Sequence, residues 1–147
     1  DRATWQTHVA FGWLLVAAVI GLWLAMPGQR RWLVELEWLY GTLGLVGFLA
    51  QIIVGIQGRL LPMHGWYRAF EAGGMRPPAR SVHTLADPRL TRMIFLTWTL
   101  GVPSLAIGLV ATNPRSIATG SILLLGGVLL NAVQMYHVAT GANRLQR

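Results

Sequence analysis

The stretch LYGTLGLVGFLAQIIVGIQGRLL, Leu39 to Leu61, decides the fold. It contains no acidic residue and one basic residue, Arg59, close to its end. A helical crossing of a bilayer's hydrocarbon core takes about 20 apolar residues. Three other stretches read the same way: Val9 to Met26, closed by Pro27-Gly28, then Leu90 to Ala111, and Ile117 to Val138. Four crossings use most of a 147-residue chain. The expected organisation is one transmembrane helical domain over residues 1–147, with no room for a soluble one. The first apolar run reads as the first of several spans and not as a cleavable signal peptide. Short connections favour an all-α fold, an integral-membrane, four-transmembrane-helix antiparallel bundle.

Composition agrees. Hydrophobic residues make up 54% of the chain and charged residues only 12%, where a soluble domain carries about 25% charged. Mean hydropathy is +0.50. There is no cysteine, which excludes disulfides, thiolate zinc sites, iron–sulfur clusters and covalent haem attachment through CxxCH within this chain. The net charge of +7 reads as topology and not as a nucleic-acid footprint. Arg2, Arg59, Arg68, Arg76, Arg80, Arg89, Arg92, Arg144 and Arg147 fall on one side of the four crossings, and Arg30, Arg31 and Arg115 on the other. The arginine-rich side is normally cytoplasmic. The expected location is therefore a bacterial inner (cytoplasmic) membrane, multi-pass, with both termini inside.

The connections have their own signals. Trp32 and Trp38 suit the membrane–water interface, and Glu35 and Glu37 read as solvated there. A loop is expected from Met63 to Asp87, broken by Gly73, Gly74, Pro77 and Pro78. Its Trp66, Tyr67 and Phe70 suit an interfacial position. Asp87-Pro88 reads as an N-cap followed by proline at the first helical position. Pro103, in the middle of the third span, predicts a kink. In the second span Gly44, Gly55 and Gly58 share a helical face with Phe48 and Gln51, which predicts close helix packing there.

The four histidines, His8, His64, His83 and His137, all fall at ends of the apolar stretches and on the same side. Imidazole is the one strong metal-ligand type in the chain. His8 opens the first span and His137 closes the fourth, at similar depth. In a simple bundle these helices are neighbours, so the pair are candidate metal ligands, the axial ligands of a haem b near the cytoplasmic face. The alternative is that each bonds water, a headgroup or a backbone carbonyl. His64 and His83 read as solvated loop residues. Gln51, Asn131 and Gln134 are polar groups at lipid depth. They suit hydrogen bonds between helices, or to a quinone, haem propionate or pigment. No Asp, Glu or Lys lies within the spans, which argues against a pump or secondary transporter.

The segment GFLAQIIVGIQGRLLP, Gly47 to Pro62, resembles the second helix of small membrane relatives of haem-copper oxidase subunit I and of the nitric-oxide-response haem-copper membrane protein family. Gly47, Phe48, Gln51, Gly55, Arg59, Leu61 and Pro62 carry the resemblance, which extends loosely from Tyr40 to Thr140. It implies a respiratory membrane protein with haem. One position departs: Thr42 stands where the family's haem-ligand histidine would fall. Either the cofactor has been lost, or its site has moved to His8 and His137.

The leading expectation is an integral-membrane subunit of a respiratory or other electron-transfer complex, working with other membrane subunits. The alternatives are a structural or anchoring subunit without cofactor, and a pigment-binding accessory subunit of a photosynthetic complex in which a histidine ligates a chlorophyll magnesium. No set of residues for nucleophilic or general acid–base catalysis is present, so an autonomous enzyme is not expected. The charge bias makes the topology testable. A cysteine replacing Gly28 should be labelled by an impermeant thiol reagent from the outer side of the membrane; labelling only from the cytoplasmic side would overturn the orientation.

Overall fold

In a bilayer every backbone N–H and C=O must be paired within the segment itself or with protein, and a helix does this locally. The computed structural model describes residues 2–28, 33–75 and 87–144, and these form only helices and turns. Helix α1 is Arg2–Leu24, α2 is Leu33–Gly41, α3 is Gln51–Ala72, α4 is Pro88–Val110 and α5 is Pro114–Arg144. A π-helical segment, Thr42–Ala50, joins α2 to α3. Four rods are long and apolar enough to cross a membrane: Thr4–Leu24, Leu33–Glu71, Pro88–Val110 and Pro114–Thr140. They form the antiparallel four-span bundle that hydropathy predicted.

The ends of these helices follow local chemistry. α1 closes into a turn in which Gly28 adopts φ 109°, a left-handed value that glycine accepts without steric cost. The Asp87 side chain accepts from the Arg89 N–H at 2.8 Å, with Pro88 at the first helical position. Asn113 caps α5 in the same way, accepting from the Arg115 N–H at 3.0 Å.

The second span differs from expectation at both ends. The helix begins at Leu33 and continues through Pro62 to Ala72, so Met63 to Ala72 is helix and not loop. Proline removes one hydrogen bond from the ladder, but the turns on either side remain intact. Beyond it, Trp66 and Phe70 stack with centroids 5.5 Å apart, one helical turn apart in sequence, which supports the continuation. Gly73 and Gly74 then end the helix; the Gly73 N–H donates to Ala69 O and the Met75 N–H to Phe70 O, a closed C-terminal turn. The 39 residues from Leu33 to Glu71 make a rod of roughly 58 Å at about 1.5 Å per residue. That exceeds a hydrocarbon core of about 30 Å, so the rod extends beyond it. The rest of the expected loop, with His83, lies outside the described residues. α4 likewise runs unbroken through Pro103.

The tightest packing is between α4 and α5. A Cβ added at Gly108 would lie 2.6 Å from the Ile117 nitrogen, and one at Gly120 would lie 2.5 Å from the Leu105 nitrogen. Gly101 meets Leu124, and Gly127 meets Thr97 and Trp98. In each helix the two glycines are seven residues apart, so they recur on the same face. With no hydrophobic force to join helices in lipid, small residues that let backbones approach do that work. In the second span the close contact is at Gly47, where an added Cβ would lie 3.0 Å from Trp13. Gly44 and Gly58 meet nothing within 4 Å, while Gln51 and Gly55 of the same expected face are buried, so that face packs only in part. The expectation assumed an α-helical period throughout. The π-helical segment carries i→i+5 hydrogen bonds, which rotates residues before it relative to those after it.

The core consists of Ala17, Leu43, Val54, Ile94, Trp98, Val102 and Ala106. Leu15, Leu22, Leu45, Leu100, Ile107 and Ile122 are exposed on the outside, an apolar perimeter suited to acyl chains. Gly120→Ala should lower the thermal midpoint of the protein in detergent by an amount equivalent to about 1–3 kcal/mol, the usual cost of overpacking. Gly44→Ala, which meets open space, should leave it unchanged or raise it. Circular dichroism melts of the two variants check this.

Candidate functional site

α1 packs on the second span and on α4, and α5 packs on α4 and α3; among the described residues α3 makes no comparable contact with α4. Between them, at the end of the bundle that carries His8, His64 and His137, a crevice opens. Gln6 of α1, Val54, Gly55 and Gly58 of α3, Thr91 and Ile94 of α4, and Asn131 and Gln134 of α5 surround a small cavity of about 10 Å³, room for about one water molecule. An adjoining crevice, also of about 10 Å³, shares Gly58, Asn131 and Gln134, and adds Gln57, Leu61, Pro62, Met135 and Val138.

Amides dominate the polar lining. Asn131 Nδ2 donates to Gln57 Oε1 at 3.1 Å, tying α5 to α3. Gln134 Nε2 donates to Thr91 Oγ1 at 3.1 Å, tying α5 to α4. Deeper in the bundle, Trp13 Nε1 donates to Gln51 Oε1 at 3.1 Å, tying α1 to α3. The interhelical role open to Gln51, Asn131 and Gln134 from sequence is thus realised in all three. Polar atoms are left over: Gln6 Nε2, Gln51 Nε2 and Gln134 Oε1 are buried without a partner, as are Trp98 Nε1 and Thr99 Oγ1. Gln6 is 3% exposed, Gln51 0% and Gln134 6%. An unpaired amide atom in such surroundings costs about 1–3 kcal/mol.

Sequence reading missed Gln6, Trp13, Gln57 and Thr91. Gln6 precedes the first apolar run, and Thr91 lies just after an N-cap, so both read as end residues. A signal was present: Gln6, Ala10, Trp13 and Ala17 recur at helical spacing, and Gln6, Ala10 and Ala17 are buried. That stripe is the inward face of α1.

The histidines lie elsewhere. His8, His64 and His137 are all exposed. His8 Nδ1 donates to the Thr4 carbonyl at 2.7 Å. His137 lies edge-on to Tyr136, centroids 6.3 Å apart. The first and fourth spans are not principal packing partners, contrary to the simple-bundle expectation, because α4 and the second span lie between them. A haem within the bundle finds no imidazole among the described residues, whereas the outer surface offers His8 and His137. No group of three or more His, Asp or Glu side chains suited to a metal ion forms among the described residues. Thr42, at the departed ligand position, is buried in the π-helical segment.

These features define a multi-pass helical membrane protein with an amide-lined crevice at one end. Comparison with protein families, with characterised proteins and with solved structures finds no match.

The Trp13–Gln51 bond makes a direct test of the amide framework. Trp13→Phe should destabilise the protein by about 1–3 kcal/mol, because it leaves Gln51 Oε1 buried and unpaired. Adding Gln51→Met should recover most of that loss, since both partners are then apolar. A double-mutant cycle from denaturation in mixed micelles measures the coupling; strict additivity would show that the bond contributes nothing.

Proposed function

We propose that this chain is an integral-membrane subunit of an electron-transfer assembly in a bacterial inner membrane, with haem b held at the perimeter of the bundle by His8, His137 or both, near the cytoplasmic face. The observation that carries the reading is the state of His8. Its Nδ1–H is committed to the Thr4 carbonyl. In the neutral ring this leaves the lone pair on Nε2, and a ligand histidine is commonly oriented by such a backbone bond. Both His8 and His137 are exposed, where a group shared with a neighbouring subunit could reach them. The likeness of Gly47 to Pro62 to the second helix of haem-copper oxidase relatives supports the same class. When bound, the haem would supply one-electron chemistry; this chain would orient and ligate it.

A structural or anchoring role without cofactor is favoured by a different observation. The end of α3 extends past Pro62, and its exposed Tyr67 and Arg68, beside the stacked Trp66 and Phe70, offer a projection on which a partner can dock. An optical spectrum separates the readings. Purified from native membranes with its partners, the protein should show a Soret band and sharp reduced α bands. These should weaken or shift in His8→Ala or His137→Ala and persist in His64→Ala and His83→Ala. A haem spectrum indifferent to both His8 and His137 would refute the ligand assignment, no haem would favour the anchoring role, and a far-red band would indicate a pigment.

A further inference from the structure

We propose that the amide-lined crevice is a binding site for an uncharged amphipathic molecule, one with a carbonyl or hydroxyl oxygen on a compact head and an apolar tail. Three observations lead there. First, the crevice presents unmet hydrogen-bonding capacity of both kinds. Gln6 Nε2 is a donor and Gln134 Oε1 an acceptor, and each is buried and unpaired on a residue that lines the inner crevice. Buried polar groups are nearly always paired, so two orphans on one cavity call for a guest that supplies both. A head with a carbonyl oxygen takes the donor, and one with a hydroxyl takes the acceptor as well.

Second, the lining is neutral. Neither crevice is lined by a charged side chain among the described residues. A phosphate or carboxylate head placed there would be desolvated without a counter-charge, a cost of several kcal/mol in order of magnitude. Phospholipid heads and ionic substrates are therefore disfavoured, and neutral heads fit. Each crevice has about the volume of one water molecule, so the inner one admits one oxygen of the head and not a whole ring.

Third, the adjoining crevice supplies apolar wall. Beside Gln57, Asn131 and Gln134 it is lined by Leu61, Pro62, Met135 and Val138. A head with its oxygen at Gln6 and Gln134 would lay its tail along these apolar side chains. Gly58 lies on both crevices, and a Cβ there would meet nothing within 4 Å. Its missing side chain helps keep the passage open.

Two classes share this chemistry: benzoquinols with an alkyl tail, and neutral glycerolipids such as diacylglycerol. Anaerobic isothermal titration of the full chain in detergent, against micelle blanks, distinguishes them with a decyl-substituted benzoquinol in one arm and dioctanoylglycerol in the other. Saturable binding of either probe, weakened at least tenfold by Gly58→Leu at unchanged thermal midpoint, supports the site, and the arm that binds names the class. Gln6→Leu, which removes the unpaired donor without touching the three interhelical bonds, should weaken binding as well and covers the case in which Gly58→Leu fails to fold. Absence of saturable binding by both probes to the folded wild type would mean that the crevice holds water only, and would overturn the proposal. Equal affinity in wild type and in both variants would overturn it too. The result is independent of the haem reading, because calorimetry on the isolated chain asks nothing of a redox partner.

Discussion

Polar atoms at lipid depth have no water to turn to, and this constraint shapes the interior of the bundle. Three hydrogen bonds meet it, each between a different pair of helices: Trp13 with Gln51, Gln57 with Asn131, and Thr91 with Gln134. Together they link α1 to α3, α3 to α5 and α5 to α4. Each bond contributes modestly, about 1–2 kcal/mol at most in a membrane setting. Their larger effect is on register, since sliding any of these helices by one turn would strand at least one amide. The apolar core of Ala17, Leu43, Val54, Ile94, Trp98, Val102 and Ala106 fills space but fixes register less sharply, since one aliphatic contact replaces another at small cost.

Two kinds of helix contact divide the bundle. α4 and α5 approach through paired glycines, with essentially no space between backbones at Gly108 and Gly120. The second span is held more loosely. All of it lies against α1, but its α2 and π-helical parts also lie against α4, while α3 also contacts α5. The crevice lies where that divergence leaves space, and amides line it because their remaining capacity has nowhere else to go. The π-helical segment stands at the point of divergence. A stretch with i→i+5 bonding turns the rods before and after it onto different neighbours, and such segments often occur near functional sites.

The site carries a physical tension. Gln51 is wholly buried with its Nε2 unpaired, and Gln6 and Gln134 each leave an atom unmet on the crevice. Neutral amides tolerate this where a charge would not, because their desolvation cost is a few kcal/mol and not tens. Such groups are suited to an interior that must accept and release an uncharged guest. The exposed histidines belong to a different surface, at the perimeter of the same end. Any chemistry they support faces a neighbouring molecule, not the crevice.

The sequence by itself determined the number of spans, their order and their alternation, because hydropathy and length are local properties and the bilayer permits few other solutions. It determined the cap at Asp87 for the same reason, since an N-cap depends only on the residues beside it. It also marked Gln51, Asn131 and Gln134 as polar groups that must face protein. Only the tertiary structure decided their partners, because Trp13, Gln57 and Thr91 lie 38, 74 and 43 residues away from the groups they meet or serve. It decided that α3 runs through Pro62, where stacking at Trp66 and Phe70 outweighs one lost backbone bond. It decided which glycines make contact: Gly47, Gly108 and Gly120 do, while Gly44 and Gly58 face space. A face drawn with one constant helical period shifts across a segment whose turns are wider, so Gly44 before Ala50 meets open space while Gln51 and Gly55 after it are buried.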